Sequence, residues 1–347
     1  MHIANIMFSA IAGGIEQAFV DYCEALHIRG HRVTAITHPK AAINPQLKAL
    51  GIEPISLHNI GEWDIFAMRK LRRILHKLAP DVAVTHTHRS FALTRRANNG
   101  ICPLVGITHN YHERAKRMLT ADAVFTTTHD LIRFMMENGV AEDHIFHIPN
   151  MVRCHALPSR GPRHEPLVIG AMGRFVKKKG FEVFIDALAL LRQRGYMFKA
   201  ILGGTGAEEK HLKHHAHKSG MDEVLSFPGW IEDKKTFYSS LDIFCLPSLH
   251  EPFGIVLLEA FVYGTPVVAT NSEGPRDIIT PNFDALIVPM GNATELAAAI
   301  AKLLDNPQLA ADLAANAFAK AKMNYSMESV AAQIEKALQT VVERWKK

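Results

Sequence analysis

The chain has 347 residues, about half of them hydrophobic, and a formal net charge of +5 that leaves its twenty histidines out of the count. This length is too great for one ordinary core and favours two domains of roughly 150 to 190 residues each. The small basic excess does not indicate nucleic acid, but it favours anionic partners such as phosphates or lipid head groups.

No apolar run is long enough for a transmembrane helix, and the chain begins in a short apolar strand without the charged start of a signal peptide. We therefore expect a cytoplasmic protein, either free or peripheral at the inner face of the cell membrane. The cysteines form no C-x-x-C pair, which argues against a zinc knuckle or a redox dithiol. We expect buried free thiols at Cys23, Cys102, Cys154 and Cys245.

Short β-branched runs alternate with amphipathic stretches of helical period, such as 16–28 and 66–78, through the first half of the chain. This alternation predicts a parallel sheet with helices on both faces. The predicted strands are 2–8, 32–37, 81–85, 104–108 and 123–126. The pattern pauses at 150–165, where prolines and charges without an apolar period predict an interdomain linker.

The alternation then resumes. The predicted strands are 167–171, 199–202, 224–227, 243–246, 266–269 and 285–288, and 327–345 reads as one long amphipathic helix. The sequence therefore predicts an α/β protein with two doubly wound domains, at 1–155 and 156–325, and a terminal helix at 326–347 that packs back on the first domain. Ligand sites are expected at the carboxyl ends of the strands, facing a cleft between the domains.

The most specific motif is the run HEPFGIVLLEA at residues 250–260. It follows a predicted strand, and its composition is helical from Gly254 onward, so the preceding loop leads into a helix N-terminus. Unpaired backbone N–H groups and the helix dipole suit such a place to the hydroxyls and phosphates of an anionic ligand. Glu251 and Glu259 are separated by about one and a half helical turns beyond the loop. They can therefore reach different parts of an elongated ligand.

A second motif, GRFVKKKG at residues 173–180, follows the first strand of the second domain. Arg174 offers a planar fork and Lys179 a point charge, a combination suited to a diphosphate. Cations fixed beside a departing phosphate lower the barrier to its release. We interpret Lys177 and Lys178 as solvated.

Gly13 and Gly14 lie between the first strand and the first helix, where paired glycines let a backbone approach a pyrophosphate. The G-x-G-x-x-G spacing is absent and no acidic residue follows the second strand, which argues against a nicotinamide enzyme. His109 directly follows a strand of the first domain, where a ligand-binding histidine and a structural one fit equally well. His86 and His88 follow another strand and are candidates for shaping an acceptor pocket.

Two polar stretches have alternative interpretations. His211 and His215 have the i, i+4 spacing of metal ligands, but no carboxylate completes a set in the sequence, so we interpret them as a solvated face. The stretches 66–78 and 114–117 are rich in Lys and Arg, and in the first of them apolar residues alternate with the charges at helical spacing. A solvated face and attachment to anionic lipid head groups both fit this pattern.

The run at 250–260 resembles the signature of the retaining glycosyltransferases of family 4, which have the two-domain GT-B fold. The likeness extends over nearly the whole chain and is closest in the second domain. It implies two facing Rossmann-like domains, with the donor bound mainly by the second and the acceptor mainly by the first. It also implies that Glu251 faces the donor sugar and that Glu259 holds the ribose.

The same resemblance implies roles for further residues. Arg174 and Lys179 would bind the donor phosphates, and His109 would touch the transferred sugar. The donor would also be contacted by Gly13, Gly14, Gly204, Trp230, Ile231, Phe253, Gly254 and Ile255. The sequence departs from the family pattern at Met151, where a glycine is expected, and at Asp277, where Glu is more usual.

These features predict a retaining, metal-independent hexosyltransferase that uses a UDP- or GDP-sugar and no cofactor. The expected acceptor is an envelope glycan or a lipid-linked acceptor, such as lipopolysaccharide core. A nucleotide-sugar epimerase and a sugar phosphorylase share the architecture and are the alternatives. A non-enzymatic nucleotide-binding module would not need both carboxylates and both cations.

Overall fold

The computed structural model describes residues 1–11, 13–112, 114–156 and 165–347, which form two compact units. The first unit comprises Met1–Met151 and Met327–Lys347, and the second comprises Val152–Ser326. The division lies at 151/152 and 326/327, whereas the sequence predicted 155/156 and 325/326. Of the predicted linker, residues 157–164 lie outside the described residues.

The first unit contains a parallel sheet that, in the described residues, has seven strands in the order β3-β2-β1-β4-β5-β6-β7. The strands are β1 (His2–Met7), β2 (Arg32–Thr37), β3 (Ile55–Ser56), β4 (Val82–Thr85), β5 (Leu104–Thr108), β6 (Ala123–Thr126) and β7 (Ile145–His147). The five predicted strands are confirmed. The prediction missed β3 and β7, which are too short to show a periodic pattern.

The helices between these strands are α1 (Gly14–Ile28), α2 (Asn44–Ala49), α3 (Ile65–Leu78), α4 (His88–Asn98) and α5 (His129–Glu137). Threonines fix where two of them begin. The Thr87 side chain accepts a hydrogen bond from the Ser90 N–H at 3.1 Å, and that of Thr128 accepts one from the Leu131 N–H at 3.3 Å. Such caps satisfy the first unpaired N–H groups of a helix, so α4 and α5 begin just beyond the carboxyl ends of β4 and β6.

The second unit also contains a parallel sheet, with six strands among the described residues in the order β10-β9-β8-β11-β12-β13. The strands are β8 (Leu167–Met172), β9 (Phe198–Gly203), β10 (Leu225–Ser226), β11 (Ile243–Leu246), β12 (Val267–Thr270) and β13 (Leu286–Val288). The helices are α6 (Phe181–Gln193), α7 (Glu209–Lys218), α8 (Lys234–Ser239), α9 (Ile255–Val262), α10 (Glu273–Ile278), α11 (Ala293–Asp305) and α12 (Pro307–Lys320). All six predicted strands are confirmed, with ends that differ by at most one residue.

Each strand order reverses once, between β1 and β4 in the first sheet and between β8 and β11 in the second. In doubly wound sheets the loops at such a switch point diverge to opposite faces and leave a crevice at the carboxyl ends of the strands. The motifs at 173–180 and 250–260 directly follow β8 and β11. The fold therefore brings the two strongest motifs of the sequence to one place.

The last helix, α13 (Met327–Trp345), belongs to the core of the first unit. Its side chains Ile334 and Leu338 are fully buried in one cluster with Tyr22 and Leu26 of α1. An ion pair between Arg29 and Glu335 lies beside this contact. The helix therefore forms part of the packed layer on one face of the first sheet.

The cysteines are free thiols, as expected, but one of them is not buried. Cys23, Cys102 and Cys245 are buried, whereas Cys154 is only half-buried because it follows the point where the chain enters the second unit. In the part of the chain that the structure describes, no helix combines the length and the apolar character needed to cross a membrane.

Candidate active site

A lysine and a glutamate meet beyond the carboxyl ends of β8 and β11. The Nζ atom of Lys179 contacts Oε2 of Glu251, and the Ser248 hydroxyl donates a hydrogen bond to the same oxygen at 3.2 Å. Glu251 is buried, and the Lys179 side chain is mostly buried. Because an unpaired buried carboxylate is unfavourable, the lysine and the hydroxyl hold the Glu251 side chain in place.

Backbone contacts hold the two loops together. The N–H groups of Leu249 and His250 both donate to the carbonyl oxygen of Lys178, at 2.9 and 3.1 Å. Gly180 has a left-handed φ of 65°, and a Cβ there would lie 2.1 Å from the carbonyl oxygen of Pro247. Only glycine allows this approach, so the loop geometry itself directs Lys179 toward Glu251.

Residues that follow β12 also hold the loop before α9 in place. Glu273 accepts hydrogen bonds from the Glu251 N–H at 3.0 Å and from the His250 ring at 2.7 Å, and the Gly274 N–H donates to the Glu251 carbonyl at 2.7 Å. Burial would raise the pKa of Glu273, but bonds from its own N–H, from His250 and from the Glu251 N–H outweigh it and lower the pKa. Glu273 therefore stays ionised and orders the loop.

The N-terminus of α9 lies next to this loop. Gly254 precedes the helix with a left-handed φ of 94°, and among the described residues no side chain caps the first turn. Phe253 and Gly254 are buried, and Ile255 is half-buried. The uncapped N–H groups and the positive end of the helix dipole favour an anionic or hydroxyl-rich ligand beside Glu251.

The second carboxylate of the motif has different partners. Glu259 is buried, its Oε1 contacts Nζ of Lys234 on α8, and its Oε2 accepts a hydrogen bond from the Tyr238 hydroxyl at 3.1 Å. Glu251 and Glu259 therefore belong to two separate ion pairs. The sequence analysis did not identify Lys234 or Tyr238, because neither residue lies in a recognisable motif.

The glycine-rich turn after β9 packs against the loop after β8. The Phe175 N–H donates to the Thr205 carbonyl at 2.8 Å, and the Gly204 N–H donates to the Gly229 carbonyl at 2.7 Å. A Cβ on Gly204 would lie 1.9 Å from the carbonyl oxygen of Gly173. Gly204 is therefore required by this backbone approach, whether or not a ligand touches it.

Other predicted donor-binding residues lie near the same end of the sheet. Ile231 packs against Gly203, the last residue of β9, while Trp230 is exposed. Arg174 follows β8 by two residues, is exposed, and has no ion pair among the described residues. Its guanidinium is therefore available to a ligand.

The remaining predicted site residues lie in the first unit. Gly13 is the residue before α1 and has extended backbone, and Gly14 is the first residue of the helix. Glu16 in the first turn is buried and accepts a hydrogen bond from the Ser9 hydroxyl at 2.6 Å. Among the described residues no side chain caps the start of α1, so its first N–H groups are open to a ligand, although the Glu16 carboxylate beside them disfavours an anion.

His109 ends a buried chain of polar side chains. Its Nε2 lies 3.4 Å from Nδ1 of His86, and Nε2 of His86 lies 3.0 Å from Oδ1 of Asn5. The Asn5 amide nitrogen is directed at Cys23 Sγ, at 3.2 Å. Because Oδ1 can only accept, His86 carries its hydrogen on Nε2, and its Nδ1 accepts from His109. His86 thus orients His109. The sequence had instead made His86 a candidate for shaping an acceptor pocket.

Both rings of this chain are neutral at physiological pH. Burial lowers the pKa of His109 to about 4, an effect that a hydrogen bond with Asn150 partly opposes. Burial and the neighbouring His109 lower the pKa of His86 further. His109 can therefore donate or accept hydrogen bonds but does not carry positive charge.

His211 and His215 do lie on a largely solvated face of α7, but the premise that no carboxylate accompanies them is wrong. Carboxylates of α6 do face them: His211 contacts Glu182, and Nε2 of His215 lies 2.7 Å from Oδ1 of Asp186. The sequence did not show this, because the two helices are brought together only by the fold. These contacts are largely exposed, and such surface contacts contribute little to stability.

Comparison with known proteins agrees with this architecture. The family described as "Glycosyltransferase Family 4" matches residues 12–155, and "Glycosyl transferases group 1" matches residues 156–320. The chain is similar to the lipopolysaccharide core biosynthesis glycosyltransferase LpsD of Rhizobium meliloti, with 29% identity over 95% of this chain and 96% of that protein. It is 31% identical to the phosphatidyl-myo-inositol mannosyltransferase of Mycobacterium leprae, over 76% of this chain and 67% of that protein.

Solved structures share the fold. The crystal structure of Anabaena HepE in complex with UDP has a TM-score of 0.86 and 21% sequence identity, and the match covers 98% of this chain and all of that one. Two doubly wound parallel-sheet units with this similarity define the GT-B fold. The chain belongs to the group 1 glycosyltransferases of family 4, and it is a glycosyltransferase.

We predict that His109 makes the first unit sensitive to acid. Its pKa is about 4 when folded and about 6.5 when unfolded, so the unfolded state binds more protons between these values. Stability is therefore lost as the pH falls from about 6.5 to about 4, by on the order of 3 kcal/mol. Urea unfolding at pH 7 and pH 4.5 measures this loss.

The His109→Gln variant should lose less stability over the same pH range than the unmodified protein does. The exposed His76, on α3 of the same unit, provides the control His76→Gln, which should keep the original pH dependence. An equal loss in the His109→Gln variant and the unmodified protein would show that His109 is protonated in the folded state.

Proposed function

We propose that this glycosyltransferase transfers a sugar from a UDP- or GDP-sugar to a glycan or lipid-linked acceptor of the bacterial envelope, with retention of anomeric configuration. The observation that carries the proposal is the contact between Lys179 and Glu251 beside the uncapped N-terminus of α9. Two relatives support the acceptor class, since LpsD and LpsE of Rhizobium meliloti are both described as lipopolysaccharide core biosynthesis glycosyltransferases. HepE has been crystallised with UDP-glucose, which supports the donor class.

Each group of the site has a role in this proposal. Lys179 and Arg174 bind the donor diphosphate, together with the N–H groups at the start of α9. Glu251 contacts hydroxyls of the donor sugar, and Glu259 holds the ribose hydroxyls. In the absence of donor, Lys179 and Lys234 neutralise these two carboxylates, so donor binding exchanges internal ion pairs for contacts with the ligand.

The proposed reaction needs no strong protein base. The bond between the anomeric carbon and the phosphate oxygen breaks, and the acceptor oxygen forms its bond on the same face of the sugar. The acceptor proton passes to the departing phosphate oxygen. Lys179 and Arg174 stabilise the charge that develops on the diphosphate, which is where preorganised cations contribute most to the rate. The contact of His109 with the transferred sugar stays a prediction.

Substitutions in the site should separate chemistry from donor binding. Lys179→Met and Glu251→Gln should each lower kcat by about 100-fold or more, because both groups act at the reacting centre. Glu259→Gln should mainly raise KM for the donor. Steady-state assays with UDP- and GDP-sugars measure kcat and KM for each variant. NMR of the product shows the anomeric configuration of the new bond.

The exposed Lys177 lies two residues from Lys179, so Lys177→Met is the matched control and should keep the original rate. Original rates in the Lys179, Glu251 and Glu259 variants together would refute the site. Inversion at the anomeric carbon would refute the proposed mechanism while leaving the site in place.

We also propose that the enzyme acts without a metal, since Lys179, Arg174 and the α9 N-terminus provide the positive charge that a divalent cation would otherwise supply. Turnover should therefore stay within about twofold after dialysis against excess EDTA. Loss of all activity in EDTA, followed by recovery on addition of Mg²⁺ or Mn²⁺, would contradict this part of the proposal.

The first unit carries a surface suited to an anionic membrane. Ile60, Trp63, Ile65 and Phe66 are all exposed, although such side chains are usually buried. Contiguous exposed apolar patches of this kind mark interaction sites. The patch lies at the beginning of α3.

Positively charged side chains lie beside this patch, along the exposed face of α3. Arg69, Lys70, Arg73 and Lys77 are exposed, and the helix contains no acidic residue. Arg72 does not belong to this face, because it donates to the carbonyl oxygens of Arg96 and Ala97. Apolar side chains beside unpaired cations are the features of a helix that lies in a lipid interface.

Flotation with vesicles tests this surface. The protein should float with vesicles that contain phosphatidylglycerol but not with pure phosphatidylcholine, and Phe66→Ala should lower the bound fraction several-fold. Met197→Ala is the control, because Met197 is 82% exposed in the second unit and Phe66 is 83% exposed. Equal recovery with neutral and anionic vesicles would refute attachment through α3.

A further inference from the structure

Four histidines line the carboxyl end of the first sheet. His38 follows β2, His58 follows β3, His88 follows β4 and His112 follows β5. They form two pairs, with ring centroids 5.3 Å apart for His38 and His58 and 4.2 Å apart for His88 and His112. We call these four residues the histidine edge. Of this set, the sequence indicated only His88 as a candidate, and not as part of a pair.

Backbone contacts fix the hydrogen positions on two of these rings. The Lys40 N–H donates to Nδ1 of His38 at 3.1 Å, and the Arg114 N–H donates to Nδ1 of His112 at 3.0 Å. A ring nitrogen that accepts a hydrogen bond carries no hydrogen, so the neutral ring must carry it on Nε2. His38 and His112 therefore each present a donor on the side of the ring away from that backbone contact.

Arg89 lies beside the histidine edge. It directly follows His88, is exposed, and donates through Nη2 to the carbonyl oxygen and Oδ1 of Asn59, both at 2.9 Å. Asn59 is buried, and its Nδ2 has no hydrogen-bond partner among the described residues. A buried amide donor without a partner is unfavourable, so an acceptor from outside the chain would stabilise it.

The electrostatic environment of the histidine edge is positive. Burial lowers the pKa of His38, and His58, Arg89 and Lys40 lower it further. Burial likewise lowers the pKa of His88 to about 4, with further contributions from His112 and two arginines, Arg117 and Arg114.

Two carboxylates that interact with residues around the histidine edge, Glu62 and Asp64, have partners of their own. Glu62 is bound by Arg117, with Arg114 at 3.9 Å. Asp64 accepts hydrogen bonds from the N–H groups of Ile60 and Ala67 at the start of α3, and the nearby His58 helps to lower its pKa. Glu62 therefore offsets the charge of Arg117 and Arg114, and Asp64 acts on His58, whereas Arg89 forms no ion pair with a carboxylate among the described residues.

We propose that the histidine edge, with Arg89 and Asn59, binds a phosphate or carboxylate group carried by the acceptor glycan. The groups offered are donors: two imidazole N–H groups with fixed positions, an amide N–H and a guanidinium. An oxyanion has only acceptors and suits donors of this kind, whereas a sugar hydroxyl must also donate. This inference rests on the proposed function, in which the first unit binds the acceptor.

Calorimetric titration with small probes tests the inference. Glucose 6-phosphate and glucuronate should bind to the unmodified protein at least tenfold more tightly than glucose does. Arg89→Gln should weaken the binding of glucose 6-phosphate by about tenfold, because it removes a charged donor. Arg95 is exposed on the same helix, α4, so Arg95→Gln is the matched control and should bind as the unmodified protein does.

A second variant is needed because Arg89 also holds Asn59. Arg89→Gln alone does not separate the loss of a ligand contact from a local structural change. His112→Ala leaves Arg89 in place and should likewise weaken the binding of glucose 6-phosphate. Equal binding of glucose and glucose 6-phosphate, or unchanged binding in both variants, would overturn the inference.

Titration of the same variants with UDP and GDP separates this inference from the proposed function. Neither variant should change nucleotide binding, and a parallel tenfold loss would overturn the inference, because the edge would then bind donor phosphate. If the unmodified protein bound neither nucleotide, the proposed donor would be refuted. The comparison of glucose with glucose 6-phosphate would still test whether the histidine edge binds a phosphate group.

Discussion

A carboxylate that is removed from water needs a cation or several hydrogen-bond donors close by, and Glu251 is buried where two loops of the second unit meet. Lys179 and Ser248 meet this need from two different loops. Gly180 can carry Lys179 into place only because it lacks a side chain. The geometry of the whole switch point thus depends on one charged pair and one close backbone approach.

The buried ionisable groups of the two candidate site regions have different partners. In the second unit, Glu251 and Glu259 are buried, and a lysine lies against each of them. In the first unit, His86 and His109 are buried without a counter-charge, and burial keeps both neutral. Paired charges suit a ligand that is itself charged, while the neutral ring of His109 suits hydrogen bonding to hydroxyl groups. His109 therefore offers a different chemistry from the two carboxylates of the second unit.

The alternation of strands and helices was enough to predict both sheets, because eleven strands have clear apolar runs bounded by turns. The short strands β3 and β7 have no such signal and are defined only by pairing with their neighbours. Motifs likewise indicated Lys179 and Glu251, which lie in recognisable runs. Lys234, Tyr238, Asn5 and Glu273 act through contacts between distant segments, so local patterns could not assign their partners.

The return of α13 to the first unit has a consequence for synthesis of the protein. The chain emerges from the ribosome N-terminus first, and domains generally fold in that order. Here, however, Ile334 and Leu338 complete the cluster that contains Tyr22 and Leu26. The first unit is translated first, but its fold is completed only after α13 has been synthesised. The face of α1 that packs against α13 therefore stays uncovered while residues 152–326 are translated. A nascent chain of this enzyme would expose that apolar face to chaperones throughout translation of the second unit.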